Sequence, residues 1–515
     1  MKIKLVTKLT TLLLVLVLAS CKNASKTDSK DLTTKKEVTA LDKPNILFIY
    51  MDDMGYGDPQ CYNPESLIPT PNIDKLAKQG MRFTDAHTAA PICGPSRYGL
   101  LTGRYPWRRG PNGHGNGGKF DDVGIESGRL TLASLLKKNG YNTAQLGKWG
   151  LSHNYSDAVK PGKKPGTKEA YDFPNKKLSG PQLFGFDYTW TDTHLYPKIG
   201  HDTIRGMDPI SDSKLVFENS LPLNPSLEVE NPYNLLPNSG NKVIEYMEVY
   251  VGKKENPKFN QDKSKPFFIY WDSVGPHAPY VPLEQFQGKS KVGRYGDYVY
   301  EIDYFIGKML DKLEELKLAD NTIVIFSSDN GPDKYTYERI KDFKHYSLGK
   351  WRGVKRDAWE GGNRTPFIVR WPGNVEANTV NNTTFCLTDM MATFAEIVGD
   401  TIPENVGEDS FSMLSLLKPT TNEFNRPPII YHNTKRKMGI RADDWVYMDA
   451  PSGAVEEDPE WFKKERGVIP HNQEVELFNL SEDPQQTKNV AIEYPEKVKE
   501  LKKTLDDMIE KGNSH

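Results

Sequence analysis

The chain is poor in cysteine, with four in 515 residues: Cys21, Cys61, Cys93 and Cys386. Two of them, Cys21 and Cys93, lie in motifs of their own, and the other two are far apart in the sequence. Disulfide-dependent exported domains carry more cysteines in a much shorter chain. No disulfide framework is therefore predicted, and the length allows a large core with more than one domain.

The chain also lacks an excess of charge of either sign. Its 67 Lys and Arg residues balance 69 Asp and Glu residues, for a formal net charge of -2. Proteins dedicated to nucleic acids show a basic excess, so no nucleic-acid partner is expected. Beyond the N-terminus there is no apolar run of the roughly 20 residues that a membrane-spanning helix needs. We therefore expect no segment that crosses a membrane.

The N-terminus has the pattern of an export signal. Residues 1–20 have a basic start and an apolar run, Leu12 to Leu18, that is too short to span a bilayer. Leu18-Ala19-Ser20-Cys21 resembles a bacterial lipobox, which implies cleavage before Cys21 and lipid attachment to it; an ordinary signal peptide is the alternative. Residues 21–42 are polar and predict a disordered tether. These features predict a cell-envelope lipoprotein, anchored to the outer membrane by lipid alone, on its periplasmic or cell-surface face.

The rest of the chain alternates predicted strands and helices. Asn45 to Met51 is a continuous apolar run, typical of a strand covered on both faces. Thr70-Pro71 begins a predicted helix that ends at Gly80, and similar units follow up to a strand at residues 322–328. This alternation predicts an α/β fold with a largely parallel central sheet flanked by helices. Residues 156–265 are rich in Gly, Pro, Asn and aromatics, which predicts a long irregular insertion that forms a substrate pocket or a surface excursion.

Oxygen-bearing side chains follow two of the predicted strands. Asp52-Asp53 comes after the first strand, and Asp329-Asn330 comes after the strand at 322–328. Either pair alone is common in turns. Ligands of open α/β sheets bind beyond the carboxyl ends of the strands, however, where both pairs are expected. Three carboxylates and one amide suit Ca²⁺ or Mg²⁺ better than zinc.

The stretch from Cys93 to Arg104 reads Cys-Gly-Pro-Ser-Arg-Tyr-Gly-Leu-Leu-Thr-Gly-Arg. An isolated cysteine is usually a small buried apolar residue, but this is a fixed pattern over a dozen positions. In it the chain resembles the type I sulfatases of the alkaline-phosphatase-like superfamily, whose signature directs oxidation of the cysteine to formylglycine. Pro95 is compatible with the first turn of a helix, which would place residue 93 at the positive end that favours anions.

This resemblance implies a chemistry that no encoded side chain supplies. A maturation enzyme would generate formylglycine from Cys93, and one hydroxyl of the hydrated aldehyde would attack sulfur while the other later expels sulfate. The sequence from Met51 to Asp58 matches the opening motif of the family, whose members bind a divalent cation, usually assigned as calcium, at the matching positions. The implied ligands of Ca²⁺, with Mg²⁺ second, are Asp52, Asp53, Cys93, Asp329 and Asn330.

Further motifs of the family match around basic residues and one histidine. Gly147-Lys148-Trp149 and Arg352-Gly353-Val354-Lys355 match its two lysine motifs, so the resemblance implies that Lys148 and Lys355 contact sulfate oxygens. Gly275-Pro276-His277 matches the motif of the histidine near the bridging oxygen. Arg97, four residues after Cys93 on the same predicted helix, is expected to brace the nucleophile and the metal ligands.

One position departs from the family pattern. Many members have a histidine directly after Lys-Trp, where it assists the formylglycine hydroxyl, whereas this chain has Gly150. The nearest histidine is His153, which becomes the candidate proton acceptor for breakdown of the sulfated adduct.

The match extends from about Lys43 to the C-terminus. Residues 43–400 are expected to form the catalytic domain, and residues 401–515 resemble the small C-terminal antiparallel sheet-plus-helix subdomain of sulfatases. The chain is thus identified as a lipoprotein member resembling polysaccharide sulfatases. The expected substrate is a sulfated polysaccharide or oligosaccharide, an algal one ahead of a host glycosaminoglycan. Two alternatives stay open: a phosphatase or phosphodiesterase of the same superfamily, and a non-catalytic glycan-binding relative.

Overall fold

A large sheet organises the chain in the computed structural model, which describes residues 43–113, 124–163, 170–172, 176–193, 214–224, 230–259, 261–418 and 423–515. Cys21, the predicted signal peptide and the predicted tether lie outside these ranges. The strands of this sheet, in chain order, are β1 Asn45–Asp52, β2 Met81–His87, β3 Asn142–Lys148, β4 Tyr188–Thr193, β5 Leu215–Glu218, β6 Leu221–Pro222, β7 Phe267–Pro276, β8 Thr322–Ser328, β9 Arg364–Arg370, β10 Thr379–Asn381 and β11 Phe385–Cys386.

The centre of the sheet is parallel. The spatial order is β10-β2-β9-β8-β1-β7-β3-β4-β5-β6, with β11 paired to β2. β1 pairs in parallel with both β7 and β8, and β3 pairs in parallel with β7 and β4. β9 is antiparallel to both of its neighbours, β2 and β8. The predicted α/β class with a largely parallel sheet is therefore confirmed.

Helices cover both faces of the sheet, so the central strand has no solvent-facing side. All eight residues of β1 are buried. Its alternate side chains enter two different cores: Leu47 and Ile49 belong to one, and Ile46 and Phe48 to the other. This two-sided burial explains why the strand is a continuous apolar run instead of an alternating pattern. The helices up to residue 400 are α1 Pro71–Gln79, α2 Cys93–Thr102, α3 Leu132–Lys138, α4 Pro232–Tyr250, α5 Gly293–Glu315, α6 Thr336–Phe343, α7 Glu360–Asn363 and α8 Met390–Ile397.

A second, smaller sheet lies near the C-terminus. Its strands are β12 Ile429–His432, β13 Met438–Ala442, β14 Trp445–Met448 and β15 Glu476–Asn479. They pair in this order, and every pairing is antiparallel. Its core includes Leu501 and Leu505 of the last helix. The predicted C-terminal sheet-plus-helix is thus present, while the described residues all belong to one compact unit and the boundary near residue 400 stays a prediction. The helices of this part are α9 Leu414–Leu417, α10 Glu460–Arg466 and α11 Pro495–Lys511.

The prediction of a long irregular insertion over residues 156–265 is wrong for the described part of that region. Strands β4, β5 and β6 extend the sheet there, and α4 runs for 19 residues. α4 packs against β7 and α5 through buried side chains such as Leu236, Val243 and Met247. Among the described residues, no helix combines the length and the apolar character needed to cross a membrane.

Candidate functional site

The carboxyl ends of the central parallel strands deliver polar side chains to one edge of the sheet. Asp52 is the last residue of β1, Lys148 is the last residue of β3, and Asp329-Asn330 directly follows β8. Successive side chains of a strand point to opposite faces. Asp53 breaks this alternation because its φ of 68° lies in the left-handed region. Both carboxylates of the Asp52-Asp53 pair therefore reach the same cluster.

The side chains predicted to bind a metal lie together. One ligand atom each from Asp52, Asp53, Cys93 and Asp329 can be chosen so that all four lie within 4.8 Å of one another. The Cys93 thiol is 3.3 Å from Asp52 Oδ1. Asn330 Nδ2 donates to Asp53 Oδ1 over 2.7 Å. The structure thus brings together the side chains that the strand ends and the cysteine motif predicted as metal ligands.

The same residues fit a hard divalent cation. Asn330 Nδ2 also donates to the Gly331 carbonyl, which fixes the amide orientation, and leaves Asn330 Oδ1 buried without a hydrogen-bond partner among the described residues. Burial raises the pKa of Asp329 to about 7, and the neighbouring charges of Asp52 and Asp53 act in the same direction. An orphaned amide oxygen beside three buried carboxylates is the donor set of a Ca²⁺ or Mg²⁺ site.

Two lysines flank the carboxylates. Lys148 Nζ donates to Asp52 Oδ2, and Lys355 Nζ donates to Asp53 Oδ1 over 2.6 Å. Desolvation lowers the pKa of each lysine, but the adjacent carboxylates outweigh it and hold both pKa values above the usual range. Both ammonium groups therefore stay charged at neutral pH and form the positive part of the site.

Cys93 begins α2, with Pro95 in the first turn as predicted. Burial raises the pKa of the Cys93 thiol, and the charge of Asp52 raises it further. The encoded side chain is therefore held as a protonated thiol, which is a weak nucleophile. The helix end still favours an anion next to this residue, because its first N–H groups have no partner within the helix.

Arg97 follows one turn later and is completely buried. Its Nη2 donates to Asp329 Oδ2 over 2.7 Å and lies 3.6 Å from Asp52 Oδ1, while its Nη1 donates to Asp272. Arg97 thus contacts two of the predicted metal ligands, as expected from its place on the helix.

His277 faces the same cluster from the end of β7. Its Nε2 is 3.8 Å from Asp53 Oδ2, and its Nδ1 lies 2.6 Å from the Ala278 carbonyl. Because a carbonyl only accepts, Nδ1 carries a proton and Nε2 is the atom that faces the site. Desolvation, together with the positive charge of Lys355, lowers the pKa of His277, so the ring is neutral near pH 7.

His153 is not brought into this cluster by any contact between described residues. Its side chain is buried, and neither ring nitrogen has a hydrogen-bond partner among the described residues. It packs closely on Gly180, where a Cβ would lie 2.5 Å from its Cδ2. Burial lowers the pKa of His153 to about 4, and the carboxylate that opposes this shift is Asp192. The predicted role of His153 on the formylglycine hydroxyl gains no support from this placement.

Sequence reasoning missed Asp272, which lies in β7 and pairs with Arg97. The pattern that reveals it is an acidic residue directly after the apolar run Phe267 to Trp271 and inside a buried strand, because buried carboxylates are rare unless they are paired. A second cluster that includes His87 and Glu360 was also missed. In this cluster Glu360 forms ion pairs with His87, Arg364 and Arg441, so the positive charge that balances its carboxylate is already present.

Comparisons with known proteins agree with this geometry. The family model described as Sulfatase matches residues 44–400. The chain is 34% identical over 507 residues to an N-acetylgalactosamine-6-O-sulfatase of Bacteroides thetaiotaomicron, which covers 90% of this chain and 93% of the relative. It is 33% identical over 381 residues to human N-acetylgalactosamine-6-sulfatase, which covers 73% and 66% of the two chains.

A solved structure of a sulfatase is also similar to this chain. It is described as a 6S sulfatase from the metabolism of multiple glycosaminoglycans by Bacteroides thetaiotaomicron, and it matches with a TM-score of 0.71 at 30% identity, over 90% of this chain and 99% of that one. These relatives are named as sulfatases, which favours hydrolysis of sulfuric esters over the phosphatase alternative. With a family match over most of its length and the expected residues at one edge of an alkaline-phosphatase-like sheet, the chain belongs to the sulfatase family and is a hydrolase of sulfuric ester bonds.

Proposed function

We propose that this sulfatase removes 6-O-sulfate from N-acetylgalactosamine residues of a sulfated glycan. The bacterial and human relatives are both named for this specificity. The bacterial relative is similar along nearly its whole length, so the parts of the chain that surround the site are included in the likeness. The similarity therefore favours a galactosamine-containing glycan as the substrate over the algal polysaccharide that was expected from the sequence.

The observation that carries the proposed chemistry is the position of Cys93. Its sulfur lies among three carboxylates and at the start of a helix. Burial raises the pKa of the thiol, so it stays protonated there and is a weak nucleophile. Formylglycine at residue 93 would supply the attacking hydroxyl, and Ca²⁺ held by Asp52, Asp53, Asp329 and Asn330 would supply positive charge against the sulfate oxygens.

The remaining residues bind the ester and move a proton. Lys148 and Lys355 each contact a carboxylate next to residue 93, so their ammonium groups are placed to bind sulfate oxygens. His277 Nε2 faces the same space as an unprotonated acceptor; once it takes up a proton there, such as the one that the attacking hydroxyl loses, it can pass that proton to the departing alcohol oxygen. Arg97 stays behind the carboxylates and orients them.

A panel of defined sulfated sugars tests the substrate proposal. Release of sulfate is measured by ion chromatography from N-acetylgalactosamine 6-sulfate, its 4-sulfate isomer, N-acetylglucosamine 6-sulfate and sulfated algal oligosaccharides. We expect the highest kcat/KM on the first of these, and at least a tenfold preference for the 6-sulfate over the 4-sulfate, since one well-placed polar contact discriminates by about 1–2 kcal/mol. Equal rates on both isomers, or a preference for the algal substrates, would contradict the proposal.

A further inference from the structure

Asp272 is a buried carboxylate that directly follows an apolar run of five residues in its strand. It lies in β7, is completely buried, and accepts a hydrogen bond from Arg97 Nη1. The other end of the same guanidinium holds Asp329 and approaches Asp52. Arg97 is thus fixed from two sides, by a carboxylate that belongs to the candidate metal site and by one that does not.

Gly150 lies against the same arginine. A Cβ at this position would be 2.4 Å from Arg97 Cδ and 2.5 Å from Arg97 Nε, which are distances that real Cβ atoms do not adopt. Gly150 also has a φ of 68°, in the region that glycine tolerates best. The side chain of Arg97 therefore fills the volume that any side chain at position 150 would need.

These contacts give a physical account of the departure from the family pattern. The histidine after Lys-Trp is not simply absent, because the space next to position 150 is filled by Arg97. Asp272 holds Arg97 in that space through a charge-assisted hydrogen bond, which is among the stronger contacts available to a buried arginine. The glycine and the aspartate therefore act on the same guanidinium.

We propose that Asp272 is a positioning residue of this sulfatase which, together with the missing side chain at Gly150, fixes Arg97 behind the metal ligands. The guanidinium orients Asp52 and Asp329 from that position, and it leaves Lys148 and Lys355 as the cations that meet the sulfate. The inference rests on the proposed function because it concerns the same site, but it is tested by metal affinity, which does not depend on the choice of substrate.

The first experiment compares Asp272→Asn with the parent protein. Asparagine keeps the shape of the side chain and removes its charge. Calcium affinity is measured by calorimetric titration of the chelated protein, alongside kcat, KM and formylglycine content by mass spectrometry. We expect calcium binding to weaken by roughly 10–100-fold, as is typical when a residue that orients metal ligands is changed. We also expect kcat to fall with unchanged formylglycine content.

Asp303→Asn is the matched control. Asp303 is also completely buried, and burial raises its pKa to about 7, as it does for Asp272. Its carboxylate accepts from the backbone N–H groups of Asn72 and Ile73 at the start of α1, away from the candidate site. This variant is expected to lower Tm while calcium affinity and kcat stay at the parental values. A merely structural role for Asp272 would give the same pattern as this control.

A second pair of variants tests the role of Gly150 without changing any charge. Gly150→Ala is compared with Gly140→Ala, because Gly140 also has a positive φ, 88°, but has no atom within 4 Å of its Cβ position. Both variants place a side chain at a positive φ, and only the first pushes on Arg97. We expect Gly150→Ala alone to weaken calcium binding by roughly tenfold or more.

The double variant Asp272→Asn with Gly150→Ala completes the cycle. Since both changes act through Arg97, their effects on calcium affinity are expected to be strongly non-additive. Parental calcium affinity in Asp272→Asn, or an additive double variant, overturns the proposal. If Asp272→Asn does not fold, parental affinity in Gly150→Ala overturns it instead. If the variants change calcium affinity as expected but the parent protein has no activity on any galactosamine substrate, only the proposed substrate is contradicted.

Discussion

The residues of the site differ in how visible they are in the sequence. Asp52, Asp53, Asp329 and Asn330 were predictable because each pair follows an apolar strand, and parallel strands bring their carboxyl ends to one edge. Asp272 was not predicted, because it belongs to none of the motifs that the chain shares with the family. Its partner is Arg97, and that contact depends on how α2 packs over the sheet.

The identity of residue 93 in the active protein is the first prediction at this scale. Peptide mass spectrometry should show loss of the thiol sulfur at Cys93, because the site needs a hydroxyl nucleophile and burial keeps the thiol protonated. Cys93→Ala should abolish sulfate release with less than about 1 kcal/mol change in unfolding free energy, since few buried atoms are lost. Cys386→Ala removes another buried thiol and should stay active. Full activity of protein with only a thiol at residue 93 would contradict the prediction.

His153 carries a pH prediction because burial lowers its pKa to about 4. The unfolded chain binds a proton near pH 6.5 and the folded chain does not, so this residue stabilises nothing above pH 6.5 and costs stability as the pH falls from 6.5 toward 4. The maximum loss is roughly 3 kcal/mol. Urea unfolding at pH 7.5 and pH 5 should show a smaller pH dependence in His153→Phe than in the parent.

The same variant separates stability from catalysis. If His153 is the proton acceptor that the sequence predicted, His153→Phe releases one burst of alcohol product and then stalls. If its placement beside Gly180 reflects packing alone, the variant turns over at the parental rate at pH 7.5. An unchanged pH dependence of stability would contradict the buried, neutral state of this histidine.

At the scale of elements, the sequence predicted helices and strands best where local signals and packing agree. β8 has the predicted bounds, since its apolar run, Ile323 to Phe326, leads through two serines to the site residues Asp329 and Asn330. α4 was missed because Pro237, in its second turn, and a nearby Asn-Ser-Gly segment interrupt the helical pattern. Asn231 and Pro232 are a start signal that was present in the sequence, as an N-cap followed by proline. Burial of one apolar face then outweighs the poor helix formers.

The start of α3 allows a test of a local contact. Thr131 caps the helix by accepting a hydrogen bond from the Ser134 N–H, while the Ser134 hydroxyl accepts from the Thr131 N–H. Thr131→Ala should lower the unfolding free energy by about 1 kcal/mol, the usual cost of losing an N-cap. Urea unfolding measures it, with the exposed Ser264→Ala as control. A change below a few tenths of a kcal/mol would show that the cap is dispensable.

At the scale of the whole molecule, the site is made of residues from separate elements, which a sheet covered by helices on both faces brings together. The strand ends supply the carboxylates, α2 supplies residue 93 and Arg97, and the segment before β9 supplies Lys355. A single sheet edge therefore assembles residues from positions 52 to 355 along the chain. Sequence motifs could name these residues one by one, but only the three-dimensional approach of Arg97 to the segment after β3 decides whether position 150 has room for a side chain.

The whole-molecule prediction concerns the attachment of the chain to the cell envelope. We propose that Cys21 is lipidated, on the basis of Leu18-Ala19-Ser20-Cys21 after a short apolar run. One acyl chain alone anchors a protein weakly, whereas two or more give stable association.

Full-length protein expressed in a Gram-negative host should therefore sediment with membranes and resist washing with high salt. Cys21→Ala should move it to the soluble fraction, with sulfatase activity per molecule unchanged because residue 21 is outside the catalytic motifs. Cys61→Ala is the matched control and should stay with the membranes. Membrane association that survives Cys21→Ala would show that another part of the chain provides the anchor.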